Sequence, residues 1–497
     1  MQNIIIAIVL SAFIPFFIKR KHTHMVFAIG FPLLTVMQIF LVQLSHEYET
    51  TTLTYAVPIS FSVNQIYLNF AVFISILWLL ASIYSVLYIS KNYGERKLSK
   101  FMPFYNIAVG MTLLTAFASN LFTTFIFYEL LTLSTLPLVG FGGKNGGGKN
   151  GGKSDIKKLL TKYMLILSFC AIAFFLPAIF MFQGAIGTTE FMQGDGTILT
   201  LFGQDFPQNE SGLNNYQYAP SPLLMVIIFT MMLFGLAKSA IFPFNGWLPA
   251  AMCAPAPVSA LLHAVAVVNV GVFVMYKVIY ELYGTNYMIY LQLLYKPLFI
   301  GITIVIVLGM IVASIKALGS VDFKKILAFS TIVNMGYITL LFMTFSEAGV
   351  HAGFWHIFVH GITKIGLFFI AGVLYSIYHT NNYRRMAGAF NRHTILAFSL
   401  ILFSFSLLGA PMTSGFISKQ FMVEALSESS YVVLFGVLFS SVTSAVYLFR
   451  PVMYTVARTK KQIIDSNLST IAYAIILPLA IVNIIAFIAG FTGKSFL

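Results

Sequence analysis

Apolar runs of about twenty residues recur from one end of this chain to the other, and no other feature constrains its fold as much. A helix rises about 1.5 Å per residue, so about twenty residues cross the roughly 30 Å hydrocarbon layer of a bilayer. Such runs lie near 2–18, 24–44, 66–90, 104–120, 121–142, 160–183, 222–249, 256–280, 292–316, 324–345, 352–378, 394–426, 430–452 and 468–490. They predict an all-α integral membrane protein of about 14 transmembrane helices. The composition agrees: 9% of residues are charged, against about 25% in soluble domains. The first run follows no basic segment and ends at no small-residue cleavage site, so it reads as a retained helix rather than a signal peptide.

The net charge of +14 sits in short loops between the runs. Loops after odd-numbered runs hold 23 of the 29 Lys and Arg, whereas the opposite loops hold Lys277, Lys296 and Lys494. Basic residues mark the cytoplasmic side of a membrane protein. This pattern predicts a multi-pass protein of the cell membrane with both termini on the non-cytoplasmic side. The basic charge is thus a topological signal and implies lipid contact, with no nucleic acid as partner. Cys170 and Cys253 lie in or beside different runs and suggest neither a disulfide framework nor a metal site. The Gly-, Lys- and Asn-rich tract 142–153 reads as a mobile cytoplasmic loop. It lacks the strand, helix and Gly-Lys-Ser/Thr ending of a phosphate-binding loop.

Once the loop residues are set aside, Lys238, Lys364 and Lys419 remain inside apolar runs, with Glu129 as the one acid well inside a helix. A lysine near the bilayer centre costs at least about 2.5–3.5 kcal/mol, which makes each a candidate functional residue. A static buried ion pair or a snorkelling side chain is the plainer reading of any one of them. His356, His360 and Lys364 are spaced by four and share one helix face, about 6 Å apart per step. Imidazoles exchange protons near neutral pH, so the row is a candidate proton relay. Two satisfied polar groups at a helix interface, or a metal pair, are the alternatives. The opposite side of that helix carries Phe358, Ile362 and Ile365, which suit lipid or packed neighbours. His263 opens the eighth run.

Two runs are interrupted, one by Pro243 and Pro249, the other by Pro411 and Gly415. Proline removes a helix hydrogen bond, and the freed backbone needs protein or water. A pair of broken spans in corresponding positions points to repeated transporter halves. The breaks lie five runs apart, so the copies would have opposite topology.

At these residues the chain resembles the antiporter-like subunits of respiratory complex I, Mrp-type cation/proton antiporters and energy-converting membrane-bound hydrogenases. The resemblance rests on Phe127-Tyr-Glu-Leu130, Ala237-Lys-Ser-Ala240 with Trp247-Leu-Pro249, and Ala254 to His263. It continues through Asp322 to Ser330, His356 to Lys364, and Gly415-Phe-Ile-Ser-Lys419. It implies two inverted five-helix repeats, 104–280 and 281–452, each holding a half-channel. Helices 1–3 (1–103) would precede them and helix 14 (453–497) would follow. It further implies that Glu129 pairs with Lys238, that Lys364 is the central relay and that Lys419 ends the second half-channel. Many relatives carry lysine where Asn269 stands, so His263 would substitute for it or the central connection would differ.

The expected function is proton or sodium translocation within a larger redox complex of the complex I or membrane-bound hydrogenase type. The chain shows no catalytic redox site and needs no cofactor of its own; iron–sulfur clusters are expected in partner subunits. Other membrane subunits, including homologous ones, and a hydrophilic redox arm are the expected partners. A subunit of a redox-independent Mrp-type sodium/proton antiporter is the alternative. A non-transporting membrane scaffold fits poorly with three intramembrane lysines.

Overall fold

The computed structural model describes residues 2–18, 20–45, 51–54, 59–142, 153–194, 196–202, 220–390, 393–457 and 466–491. The tract 142–153, apart from its ends, lies outside them, as do 203–219 of the long outer loop and both chain ends. Among the described residues the chain is helical apart from a small hairpin, β1 (Thr51–Thr54) and β2 (Ile59–Phe61).

Helices α1 (Gln2–Phe17), α2 (Lys21–Ser45) and α3 (Gln65–Tyr93) come first. Then follow α4 (Leu98–Phe117) and α5 (Leu121–Val139), joined by a turn at Ser119-Asn120. The next span runs from α6 (Lys153–Cys170) through a π-turn, Ala171–Phe175, into α7 (Leu176–Ile186). A short α8 (Gly196–Phe202) and α9 (Pro222–Gly235) lead to a one-turn α10 (Trp247–Ala250). One span is assembled from α11 (Ala256–Ala260), a π-turn Leu261–Val265, α12 (Val267–Tyr276) and a second π-turn, Lys277–Tyr283. The chain continues with α13 (Thr285–Leu294), α14 (Lys296–Gly319), α15 (Phe323–Phe342), α16 (Glu347–Tyr378) and α17 (Thr394–Leu408). It ends with α18 (Ser414–Leu426), α19 (Tyr431–Val456) and α20 (Ser466–Phe491).

Nine helices among the described residues are long and apolar enough to cross a membrane. In hydrocarbon a helix satisfies its own backbone, which is why apolar runs of this length become helices. Polar side chains set several starts by accepting backbone N–H groups that the first turn leaves free. Asn120 accepts from Thr123, 2.7 Å, Asp322 from Lys325, 3.0 Å, and Ser346 from Gly349, 3.1 Å. Burial separates centre from rim. The spans Ala256–Tyr283 and Glu347–Tyr378 are 100% and 94% buried over their apolar windows, whereas His22–Val42 is 28% buried. The first two form the core, and the third lies at the rim.

Both interrupted runs are broken helices. After α9 the chain makes 3₁₀ turns at Ala237–Ser239 and Phe244–Gly246, with Ala240 left-handed at φ 56°. The Trp247 indole donates to the Ala237 carbonyl, 2.9 Å, and so satisfies backbone that the break exposes. Pro243 and Pro411 lie in the non-helical segments, while Pro249 falls inside α10 and Gly415 is the second residue of α18. Gly415 is therefore part of the restart and not of the gap. A Cβ there would sit 1.6 Å from the Ser406 carbonyl oxygen, so glycine lets α18 resume against α17.

The starts of α5 and α15 are held by the same backbone pairing. Leu121 donates to Thr189, 3.0 Å, and Phe191 to Ser119, 2.9 Å. Phe323 donates to Asn381, 2.9 Å, and Tyr383 to Val321, 3.2 Å.

Candidate ion-translocating site

Glu129 on α5 faces the break that follows α9. The Lys238 amine lies 3.1 Å from its carboxylate; the lysine side chain is fully buried and the glutamate side chain 18% exposed. Thr132 donates to the same carboxylate oxygen, 3.3 Å. The amine also sits 3.3 Å from the centroid of the Tyr128 ring. The Tyr128 hydroxyl in turn accepts the Lys238 backbone N–H, 3.1 Å. Ionic, π-face and backbone contacts thus hold one lysine in a broken helix, where an unpaired ammonium would be costly. Behind it, a Cβ at Gly271 of α12 would come within 2.4 Å of the Ser239 nitrogen, so the two backbones touch.

The central residues gather around α15. The Lys364 amine, fully buried, donates to the Leu327 carbonyl, 2.7 Å, and to the Ser330 hydroxyl. His263, in the first π-turn of its span, is 2.9 Å from the Thr331 hydroxyl through Nδ1. His360 is buried, and neither ring nitrogen has a hydrogen-bond partner among the described residues. Its ionisable neighbours are Lys364, His356 and His263. Asn269 donates to the Ala264 carbonyl, 2.6 Å, at the end of the π-turn.

Beyond Lys364 the polar contacts continue. Asn334 donates to the Ser330 carbonyl, 2.6 Å, and its side-chain oxygen is 2.9 Å from His356 Nε2. The same imidazole meets the Ser418 hydroxyl through Nδ1, 2.8 Å. Next to Ser418, Lys419 donates to Ser441, 3.1 Å, and its amine lies 5.9 Å from the Tyr337 ring centroid. Phe358 packs on Phe73 at 5.0 Å between centroids, and Ile362 and Ile365 are buried, so this side of α16 meets protein.

The structure therefore brings Glu129 to Lys238, and His263, Lys364, His356 and Lys419 to a common helix. Direct hydrogen bonds do not join His360 to its neighbours. Sequence reasoning missed the helix that does the joining. Ser330, Thr331, Asn334 and Tyr337 recur at steps of three and four along α15, a polar stripe on an apolar span that helical spacing alone would have exposed. It also misplaced three charges. Lys277 and Glu281 are buried in the second π-turn of a span longer than expected, so Glu129 is not the only acid well inside a helix. Lys324 is buried in the first turn of α15 and donates to the Met252 carbonyl, 3.0 Å, and to Ala254. Backbone carbonyls from neighbouring segments accept the Lys277 and Lys324 ammonium groups, which is why neither needs a loop.

Residues 118–446 match the transmembrane family described as NADH:quinone oxidoreductase/Mrp antiporter. The chain belongs to that family. It is a multi-pass membrane protein of the antiporter-like superfamily to which Mrp antiporters and complex I belong. A relative from Staphylococcus aureus (strain JH9), named "Putative antiporter subunit mnhA2", is 24% identical over 502 residues, covering 92% of this chain and 57% of the relative. The chain thus spans a little over half the length of the curated relatives it matches. Among solved structures, a chain of the membrane-bound sulfane sulfur reductase, an archaeal respiratory membrane complex, superposes with a TM-score of 0.79 at 20% identity. That match covers 100% of this chain and 95% of the other. A chain of the Mrp complex from Dietzia sp. DQ12-45-1b gives 0.73 at 18% identity, over 99% of this chain and 50% of that one. These likenesses establish a shared antiporter-like fold.

Proposed function

We propose that this chain translocates protons or sodium ions as one membrane subunit of a larger redox complex. The observation that carries the reading is the succession of buried and partly buried ionisable groups from the Glu129–Lys238 pair to Lys419, with α15 supplying polar contacts over its second half. Glu129 and Lys238 form the first half-channel, His263 and His360 the centre, Lys364 the relay, and His356 with Lys419 the end of the second. Buried imidazole nitrogens that lack protein partners call for water, which also bridges helices 8–10 Å apart. Moving Glu129 away removes the charge that stabilises the Lys238 ammonium and favours release of its proton toward the centre.

Fourteen helices with two inverted five-helix repeats, 104–280 and 281–452, frame these roles. The matched backbone pairing at the starts of α5 and α15 supports such a repeat. Helices 1–3 and helix 14 flank it, and both termini face the non-cytoplasmic side. The partners are other membrane subunits, homologous ones among them, a redox arm carrying iron–sulfur clusters, and lipid. A redox-independent Mrp-type antiporter is the second reading, favoured by the name of the S. aureus relative.

Purification of the complex in mild detergent tests this. Iron and acid-labile sulfide that copurify support the redox reading, and their absence from an intact, active complex supports the antiporter. Lys238→Met in reconstituted vesicles is expected to abolish ion movement; full transport by the variant would overturn translocation through this chain.

A further inference from the structure

The span Ala256–Tyr283 has a π-turn near each end, and both turns carry ionisable residues. The first holds His263. The second holds Lys277 and Glu281, one helical step apart and both buried. Single π-turns inside helices occur frequently at functional sites.

Tyr67 of α3 joins the acid to the base. Its hydroxyl donates to the Glu281 carboxylate, and its ring centroid lies 4.3 Å from the Lys277 amine. The Phe191 ring centroid also lies 4.3 Å from that amine, which donates to the carbonyls of Ala116, 3.3 Å, and Ala118. The other titratable group near Glu281 is Tyr276. A purely structural role would be to pin the outer loop. The loop, however, bonds to the Glu281 backbone carbonyl: Met192 N–H donates to it, 3.1 Å, and so does the Thr197 hydroxyl, 3.1 Å. Pinning the loop needs no carboxylate, so the acid requires a separate explanation.

We propose that Lys277, Tyr67 and Glu281 form a proton-exchange station at the outer end of the span Ala256–Tyr283. The proposal rests on the ion-translocating reading above and adds an outer exit in series with it, reached along one fully buried span from His263 past Asn269. The step is a proton transfer alone: the Glu281 carboxylate takes a proton from hydronium to become a carboxyl group and water, and the reverse step releases it. Lys277 stays charged and holds the empty carboxylate in place, and Tyr67 orients it.

The test uses the intact complex in vesicles. Glu281→Gln keeps the shape and an acceptor for Tyr67 but cannot take up a proton. It is expected to lower proton transport about tenfold or more and to remove one protonated-carboxyl band from pH-difference infrared spectra. Wild-type transport or an unchanged carboxyl spectrum would overturn the station. If Glu281→Gln does not assemble, Tyr67→Phe, which keeps the ring beside Lys277, is judged by a tenfold loss of transport and a shifted carboxyl band. Lys238→Met separates the two claims. Full transport in that variant defeats the underlying reading, whereas loss there with full transport in Glu281→Gln defeats the station only.

Discussion

Lys364 and Thr331 share one acceptor, the Leu327 carbonyl: the amine donates to it at 2.7 Å and the hydroxyl at 3.0 Å. Because Thr331 is also bonded to His263, a change of charge on Lys364 alters a carbonyl that the histidine senses through one hydroxyl. Thr331→Val keeps the shape and removes that link. We expect ion transport to fall roughly tenfold, the equivalent of about 1.4 kcal/mol, with assembly intact. Wild-type transport rates in vesicles would show that His263 and Lys364 communicate by another path.

Removing one partner of the Glu129–Lys238 pair should harm stability more than removing both. Glu129→Gln leaves a fully buried ammonium without its counter-charge, and breaking such a pair costs up to about 3–5 kcal/mol. The carboxylate is 18% exposed, so solvent screening puts the expected cost at the low end of that range or below it. Glu129→Gln with Lys238→Met is expected to regain most of the loss while remaining inactive. Thermal unfolding of the wild type and the two variants in detergent checks the order, and a double variant less stable than Glu129→Gln would refute it.

Asn334→Leu should separate the two ends of the relay. It leaves His356 Nε2 buried without the acceptor it now has at 2.9 Å, at a cost of about 1–3 kcal/mol. Transport should fall while the Glu129–Lys238 pair persists. Undiminished transport would mean that His356 is not on the path.

Sidedness can be checked at two exposed positions. Arg96→Cys, between α3 and α4, should react with a membrane-impermeant thiol reagent only from the cytoplasm, and Glu190→Cys, after α7, only from outside. The motive is the concentration of Lys and Arg in alternate loops. Labelling of both from one side would discard the topology.

Much of this architecture was legible because lipid imposes a length and loops carry a charge bias. Glu129 and Lys238 could be found one by one, since a charge inside an apolar run stands out. Lys277, Glu281 and Lys324 could not, because each lies at the end of a run, where a buried and a solvated charge look alike in sequence. What buries them is a π-turn that lengthens one span and carbonyls exposed at distant helix ends, such as Ala116 and Met252. Ser330, Thr331 and Asn334 were overlooked for a different reason. Small polar residues are ordinary in membrane helices, and their partners come from two other elements of the fold, α16 and the first π-turn.

The bare backbone at Gly271 leaves no slack between α12 and the segment that carries Lys238. Side chains elsewhere in the bundle can absorb a small displacement by changing rotamer, but two touching backbones cannot. A slide of α12 along its axis is therefore geared to the gap between Lys238 and Glu129. A push passed inward to that buried helix through the helices around it would reach the ion pair as a change in distance, with no ion having yet moved.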